Sequence, residues 1–132
     1  MAAPSPIVVA GLNHAYGKGE LRKQILFDVS VEIGAGEIVI VTGPSGSGKT
    51  TLLTLVGALR SAQEGSVRIL GEELRGAKPA TLEKVRRRIG FIFQQHNLLG
   101  ALTALQNVEL GVRASGRYPK SEHRERAREM LN

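Results

Sequence analysis

The 132-residue sequence contains no cysteine, no tryptophan and a single aspartate. The lack of cysteine excludes disulfide bonds, thiolate metal sites and cysteine nucleophiles. No stretch of about 20 apolar residues predicts a membrane-spanning helix. The opening residues MAAPSPIVVAGLNH lack the basic segment and the long apolar core of a signal peptide. We therefore expect a soluble chain in the cytoplasm.

Aromatic residues make up only 4% of the sequence. The chain carries a formal net charge of +6. The basic residues cluster at 86–88 and between Arg113 and Arg128. Glutamates interleave with the second cluster, which is typical of a solvated helix face. Because neither aromatic stacking platforms nor zinc ligands accompany the charge, we expect no nucleic acid partner.

The spacing of apolar residues predicts an α/β fold. Residues 25–33 alternate between apolar and polar, which predicts an antiparallel strand with one exposed face. A continuous apolar run at 38–42 predicts a strand that is buried on both faces, and the apolar run at 89–93 predicts a further strand. Further predicted elements are strands at 7–12 and 67–70, helices at 49–59 and 79–88, and two later helices N-capped by Thr103 and Ser121.

Residues 43–50 read GPSGSGKT and match the glycine-rich loop that binds phosphate. A predicted buried strand precedes the loop and an amphipathic helix follows it, as the motif requires. The glycines let the backbone turn its N–H groups toward an anion. In this motif the lysine reaches the β- and γ-phosphates, and the next hydroxyl ligates Mg²⁺. We therefore predict a nucleotide-binding loop made of Gly43, Pro44, Ser45, Gly46, Ser47, Gly48, Lys49, Thr50 and Thr51, with Thr50 on the metal.

Hydrolysis at such a loop also needs an aspartate near Mg²⁺, at the end of a second strand. The sequence has one aspartate, Asp28, and no aspartate follows Thr50. The apolar alternation continues beyond Asp28 through Val29 and Val31, so we expect Asp28 to lie inside a strand, away from the metal. The sequence therefore predicts the binding part of a nucleotide site without its carboxylate.

Together these motifs resemble the nucleotide-binding subunit of ABC transporters over the whole chain. Tyr16, in NHAYG, is similar to the A-loop aromatic residue that stacks on adenine, and GPSGSGKTT is similar to the Walker A motif. The segment IGFIFQQHNLLGALTALQNV resembles the family's Q-loop region and places Gln94 at its glutamine. The sequence looks closest to DevA-type exporter ATPases, which are related to lipoprotein-releasing and macrolide-exporter ATPases.

The resemblance implies an α/β fold: a P-loop NTPase (RecA-like) core with an ABC-type antiparallel β subdomain and an incomplete helical subdomain. Residues 1–93 would form the core and the β subdomain, and residues 94–132 the Q-loop and the start of the helical subdomain. The implied cofactors are ATP and Mg²⁺. Lys49 and Gln94 would act in catalysis, Thr50 and Gln94 would bind the metal, and Tyr16 would bind the base.

The resemblance also implies partners and a location. A second ATP-binding subunit would complete a homodimer, and a membrane permease would couple ATP hydrolysis to transport. The subunit would then be cytoplasmic and peripheral on the inner face of the plasma membrane. The family's LSGGQ signature and Walker B strand are absent from these 132 residues, so we expect the N-terminal part of a longer subunit that does not hydrolyse ATP alone.

Several alternatives stay open. A soluble P-loop kinase would use the arginines at 86–88 to clamp an acceptor, although the Q-loop similarity argues against it. A fragment without an independent function would have marginal solubility because its buried parallel strands would keep an unpaired edge. His14 is expected to be a strand or surface residue, and His96 is not expected to act. The leucines near Gln94 are expected either in the core or on a permease-binding surface; they are Leu98, Leu99, Leu102 and Leu105.

Overall fold

The computed structural model describes residues 4–132, which contain four strands, four α-helices and two 3₁₀ turns. The chain divides into two units, Met1–Arg86 and Arg87–Asn132. We predicted a different boundary, at residue 93, between the nucleotide-binding core and the Q-loop region. That boundary separates functional segments rather than compact units, and it stays a prediction. Within the described residues no helix is both long and apolar enough to cross a bilayer.

The first unit contains a four-stranded antiparallel sheet with the order β2-β1-β3-β4. Its strands are β1 (Ile7–Tyr16), β2 (Lys23–Ile33), β3 (Glu64–Ile69) and the short β4 (Glu72–Glu73). Tyr16 pairs with Lys23 where a hairpin with a 3₁₀ turn at Gly19–Leu21 joins β1 to β2. The last residue of β1 is therefore held at one end of the sheet.

Strand β2 confirms the alternation predicted from the sequence. Val29, Val31 and Ile33 are half-buried, while Ser30 and Glu32 between them are exposed. The pairing of β2 with β1 is antiparallel. Because side chains on a strand point to alternate faces, the sequence period alone indicated which face would be covered.

Helix α1 (Lys49–Val56) contacts β2 and β3, and helix α2 (Pro79–Arg86) ends the first unit. Both helices lie within the predicted ranges. Helix α1 buries Thr51 and Leu55, and helix α2 buries Val85. The fully buried side chains of this unit come from strands, helices and a loop: Leu12, Leu55, Val67, Ile69, Leu74 and Val85.

The strands predicted at 38–42 and 89–93 are wrong, since neither segment is a strand in the structure. Ile38 is 95% exposed and Ile92 is 92% exposed. A continuous apolar run is typical of a strand whose two faces are both covered by other parts of a protein. It does not show whether neighbouring strands are present to pair with it, and no described strand pairs with either segment.

The second unit packs α3 (Ala104–Ser115) against α4 (His123–Leu131) and buries Val112 and Ala127. Thr103 caps α3 as predicted. Its hydroxyl accepts from the Gln106 backbone at 3.2 Å, and the Gln106 side chain accepts from the Thr103 backbone at 2.9 Å. This reciprocal pair is a capping box.

The predicted cap of the last helix is wrong. Ser121 lies within a 3₁₀ turn, Lys120–Glu122, which makes no side-chain cap hydrogen bond. The Glu122 N–H donates to the Pro119 carbonyl at 3.0 Å. Because this tighter turn occupies the start of the predicted helix, α4 begins only at His123.

Candidate functional site

The glycine-rich loop leads into the N-terminus of α1 and depends on positive φ angles. Gly43, Gly46 and Gly48 have φ values of 154°, 80° and 96°. Residues with a Cβ rarely adopt this left-handed region. Gly48 is the N-cap of α1, so the helix's first N–H groups follow directly after the loop. The local sequence thus directs the positive end of the helix dipole to the loop.

The Lys49 side chain folds back over this loop. Its Nζ donates to the carbonyl oxygens of Gly43 and Pro44 at 2.6 and 2.7 Å. A third contact, at 3.3 Å, joins Nζ to the Ser47 hydroxyl. The ammonium group therefore lies beside the loop backbone, where an anion bound by the loop would also meet it.

A cavity of about 480 Å³ connects the loop to the end of β1. The Tyr16 and Thr51 hydroxyls share a hydrogen bond of 3.1 Å at its wall. The structure thus brings Tyr16 together with six of the nine predicted loop residues. The cavity is lined by Tyr16, Ile25, Ser45, Gly46, Gly48, Lys49, Thr50 and Thr51.

The donors around this cavity fit a polyphosphate. Backbone N–H groups at a helix N-terminus and a lysine ammonium both favour a multiply charged anion. The Thr50 side chain is exposed and lines the cavity. Among the described residues no cluster of three histidines or carboxylates is placed to hold a metal ion. A Mg²⁺ ion here would need phosphate oxygens and water in addition to Thr50.

Tyr16 is packed by two residues that the phosphate motif does not include. The His14 ring meets the Tyr16 ring edge-on, with centroids 5.0 Å apart. The Arg60 guanidinium carbon lies 5.0 Å from the Tyr16 ring centroid. Sequence analysis missed Arg60 because the loop residues around it carry no motif, and its contact with β1 is tertiary.

His14 is on β1, as predicted, but it is only 5% exposed rather than at the surface. Within the described chain its Nδ1 has no hydrogen-bond partner. Burial, and to a smaller extent the positive charge of Arg60, lower the pKa of His14 below its usual value. The alternation of side chains did not indicate this burial, because the pairing of β1 with β2 shifts register on both sides of His14.

We expect His14 to make stability depend on pH. Because its pKa is lower in the folded state than the roughly 6.5 of an unfolded histidine, the unfolded chain takes up the proton first. The free energy of unfolding should therefore fall as the pH drops below about 6.5, toward the folded pKa. Urea unfolding at several pH values between 5 and 8 measures this slope.

The His14→Gln variant should show a shallower pH dependence than the original chain. His96→Asn is the matched control, because His96 is exposed and its φ of 52° suits asparagine. A slope that disappears in His96→Asn but persists in His14→Gln would contradict the assignment.

The other predicted residues lie outside this cavity. Asp28 is exposed within β2, as predicted, and its N–H donates to the Asn13 side chain at 2.9 Å. Gln94 belongs to the second unit, where it is exposed in a turn. Its assignment to catalysis and metal binding stays a prediction.

The second unit has an apolar cavity of its own, with a volume of about 490 Å³. The exposed Leu98 and Leu99 and the half-buried Leu102 contribute to it, while Leu105 is half-buried outside it. The remaining lining residues come from the turn before α3, the start of α3 and the end of α4: Gly100, Ala104, Asn107, Val108 and Leu131.

Comparisons with known proteins show which family this chain resembles in sequence. A sequence profile of the family described as ABC transporter matches residues 26–132. The chain is 45% identical over 128 residues to LolD 2, the lipoprotein-releasing system ATP-binding protein of Rhodospirillum rubrum, covering 96% of this chain and 55% of that protein. It is 41% identical to the macrolide export ATP-binding/permease protein MacB of Aggregatibacter actinomycetemcomitans, covering 95% of this chain and 19% of that protein.

A solved structure shares the fold. The ATP-binding cassette MJ0796, in a dimeric post-hydrolysis state bound to ADP and Pi, matches with a TM-score of 0.84 at 40% identity. The match covers 95% of this chain and 55% of the cassette, so the chain spans about half the length of both this cassette and LolD 2. The predicted α/β P-loop NTPase fold with an antiparallel β subdomain is confirmed, as is the resemblance to lipoprotein-releasing and macrolide-export ATP-binding proteins.

Proposed function

Because this chain belongs to the ABC transporter family, we propose that it binds Mg-ATP as part of the ATPase subunit of an exporter. That subunit powers transport by a membrane permease. The observation that carries the proposal is the cavity joining the glycine-rich loop to Tyr16. It combines donors for a polyphosphate with an aromatic ring for a base, and a nucleotide has both parts.

The phosphates bind at the loop and at the start of α1. Backbone N–H groups there donate to phosphate oxygens, and the Lys49 ammonium exchanges its loop contacts for the β- and γ-phosphates. Thr50 ligates Mg²⁺ through its hydroxyl. An ion held there would supply positive charge beside the phosphates during phosphoryl transfer in the complete enzyme.

The adenine base stacks on the Tyr16 ring. Tyr16 is half-buried, and its hydroxyl makes a hydrogen bond with the Thr51 hydroxyl, which fixes one end of the ring. The cavity lies beside the ring. Stacking of a base on an aromatic ring contributes about 1–3 kcal/mol. The base therefore adds to the affinity that the loop provides for phosphate.

Hydrolysis requires groups from outside these 132 residues. We infer that the rest of a longer subunit supplies the Walker B carboxylate and the signature motif, and that Gln94 senses Mg²⁺ and water. The exposed apolar side chains of 38–42 and those of Ile92 and Phe93 support this, because strands from that part would cover and pair with these segments. The coding sequence beyond Asn132 would reveal both motifs.

The proposed partners are a second ATP-binding subunit and a permease. The dimeric state of MJ0796 supports the first partner, and the ATP-binding/permease composition of MacB supports the second. We place the permease contact at the apolar cavity around Leu98 and Leu99. The subunit then lies on the cytoplasmic face of the plasma membrane.

The kinase alternative receives no support from Arg86. The Arg86 guanidinium donates to the Ala58 carbonyl at 3.0 Å, so it ties α2 to the end of α1. An acceptor clamp would need this group to be available in the cavity, and Arg86 does not line it.

Lys49→Ala tests the proposal. Removing the ammonium should weaken the binding of Mg-ATP by about 10- to 150-fold, because charge-assisted hydrogen bonds to phosphate contribute about 1.5–3 kcal/mol. Isothermal titration of the purified chain measures the change. Lys78→Ala is the control, since it removes the same charge at an exposed position outside the cavity.

Equal ATP affinity of Lys49→Ala and Lys78→Ala would refute ATP binding at this loop. The same preparations test hydrolysis by phosphate release. We expect none from the 132-residue chain, and turnover that Lys49→Ala abolishes would overturn the view that the carboxylate comes from elsewhere.

A further inference from the structure

The Tyr16 side chain is contacted by three other side chains of the protein. The Arg60 guanidinium lies 5.0 Å from the ring centroid, within the roughly 6 Å at which a cation is attracted to a ring face. His14 packs against the ring at an interplanar angle of 80°, and Thr51 bonds the hydroxyl. These contacts restrict both the plane of the ring and the position of its hydroxyl.

The loop that carries Arg60 is tied to β1 directly beside Tyr16. The Ala15 N–H donates to the Gln63 side-chain oxygen at 2.9 Å. The Gln63 side-chain nitrogen donates to the Ala15 carbonyl at 3.0 Å. This pair substitutes for the two hydrogen bonds that a neighbouring strand would make with Ala15. It fixes the loop against the residue that immediately precedes Tyr16.

The backbone of Arg60 is anchored as well. Its N–H donates to the Thr54 carbonyl at 3.3 Å, and the Leu59 N–H donates to the same oxygen at 2.9 Å. Arg60 is therefore attached to the end of α1 while its side chain covers Tyr16. It is not among the residues of the described chain that line the cavity, which leaves the cavity side of the ring open to a base.

We propose that Arg60 and Gln63 are positioning residues that orient Tyr16 for stacking on the nucleotide base. This inference rests on the proposed function of the cavity. A ring that is already oriented loses less conformational freedom when a base stacks on it, so preorganisation increases affinity. Neither residue lines the cavity that contains the phosphate loop. Their effect is therefore on the part of the affinity that depends on the base.

The test compares ATP with inorganic tripolyphosphate, which has the phosphates but no base. Arg60→Met keeps the side chain's length and removes its charge. We expect it to weaken ATP binding about two- to five-fold and to leave tripolyphosphate binding unchanged. Arg60→Lys should recover part of the loss, and Gln63→Leu should reproduce it. In a Tyr16→Ala background, Arg60→Met should have no further effect on ATP.

The matched control is Arg68→Met, which removes the same charge from an exposed position on β3. Arg68 pairs with Val8, at the opposite end of β1 from Tyr16. If Arg60→Met weakens ATP and tripolyphosphate equally, Arg60 acts only through its charge and the inference is overturned. Tighter ATP binding would overturn it too, because the guanidinium would then compete with the base.

The outcomes also separate this inference from the proposed function. If the original chain binds neither ligand, the proposed function fails. If it binds ATP more tightly than tripolyphosphate, but the ratio is unchanged in Arg60→Met and Gln63→Leu, only the positioning role fails. Circular dichroism melts establish that each variant is folded, and Gln63→Leu, which should reproduce the loss, keeps the test decisive if Arg60→Met does not fold.

Discussion

Gly48→Ala is expected to lower the free energy of unfolding by about 2–5 kcal/mol and to abolish nucleotide binding at the loop. Two effects add. Gly48 has a φ of 96°, which disfavours any residue with a Cβ. The added Cβ would also lie 2.7 Å from the Leu26 Cδ2 and 3.2 Å from the Ile25 carbonyl oxygen. Because Leu26 is buried, it cannot move aside without disturbing the core.

Alanine substitutions at two other glycines distinguish the cost of backbone strain from the cost of the steric clash. Gly46→Ala tests a loop glycine with a φ of 80° and no atom within 4 Å of an added Cβ. Gly36→Ala tests a φ of 79° in equally open surroundings outside the loop. Both should lose only the strain contribution of about 1–2 kcal/mol, and Gly36→Ala should keep its ATP affinity. Urea unfolding and ATP titration measure these effects, and equal losses for Gly48→Ala and Gly36→Ala would refute the clash with Leu26.

Leu12→Ala is expected to reduce the free energy of unfolding by about 2–5 kcal/mol. Leu12 lies on β1 and is 0% exposed, so the substitution removes buried apolar surface and leaves a cavity. A domain's whole stability is only about 5–15 kcal/mol, so the first unit would lose a large part of its stability. Tyr16 is at the end of the same strand, and we therefore expect ATP affinity to fall once the strand is destabilised. Chemical denaturation followed by circular dichroism measures the loss.

Leu21→Ala is the matched control, because Leu21 is 86% exposed in the turn between β1 and β2. Its effect should stay within about 0.5 kcal/mol. Similar losses for Leu12→Ala and Leu21→Ala would show that β1 does not pack as described.

The features predicted correctly from sequence depend on residues close together in the chain. The capping box at Thr103 joins residues three apart, and the alternation in β2 follows from the geometry of one strand. The loop at 43–50 combines glycines, a lysine and a helix start within eight residues. The mispredicted Ser121 cap shows the limit of this reasoning, because a 3₁₀ turn competed locally with the α-helix.

What the sequence determined by itself is therefore the glycine-rich loop before a helix, the antiparallel strand and the family, since each is written in a short, ordered pattern. Only the tertiary structure decided which apolar segments are covered and what surrounds Tyr16. The runs at 38–42 and 89–93 have the composition of buried strands, yet burial depends on partners that a run does not encode. The contacts of Arg60 with Tyr16 and of Gln63 with Ala15 join residues far apart in the chain. Such contacts form only when the chain folds, because the packing of α1 on the sheet brings the loop with Arg60 and Gln63 against β1. No local sequence pattern specifies them.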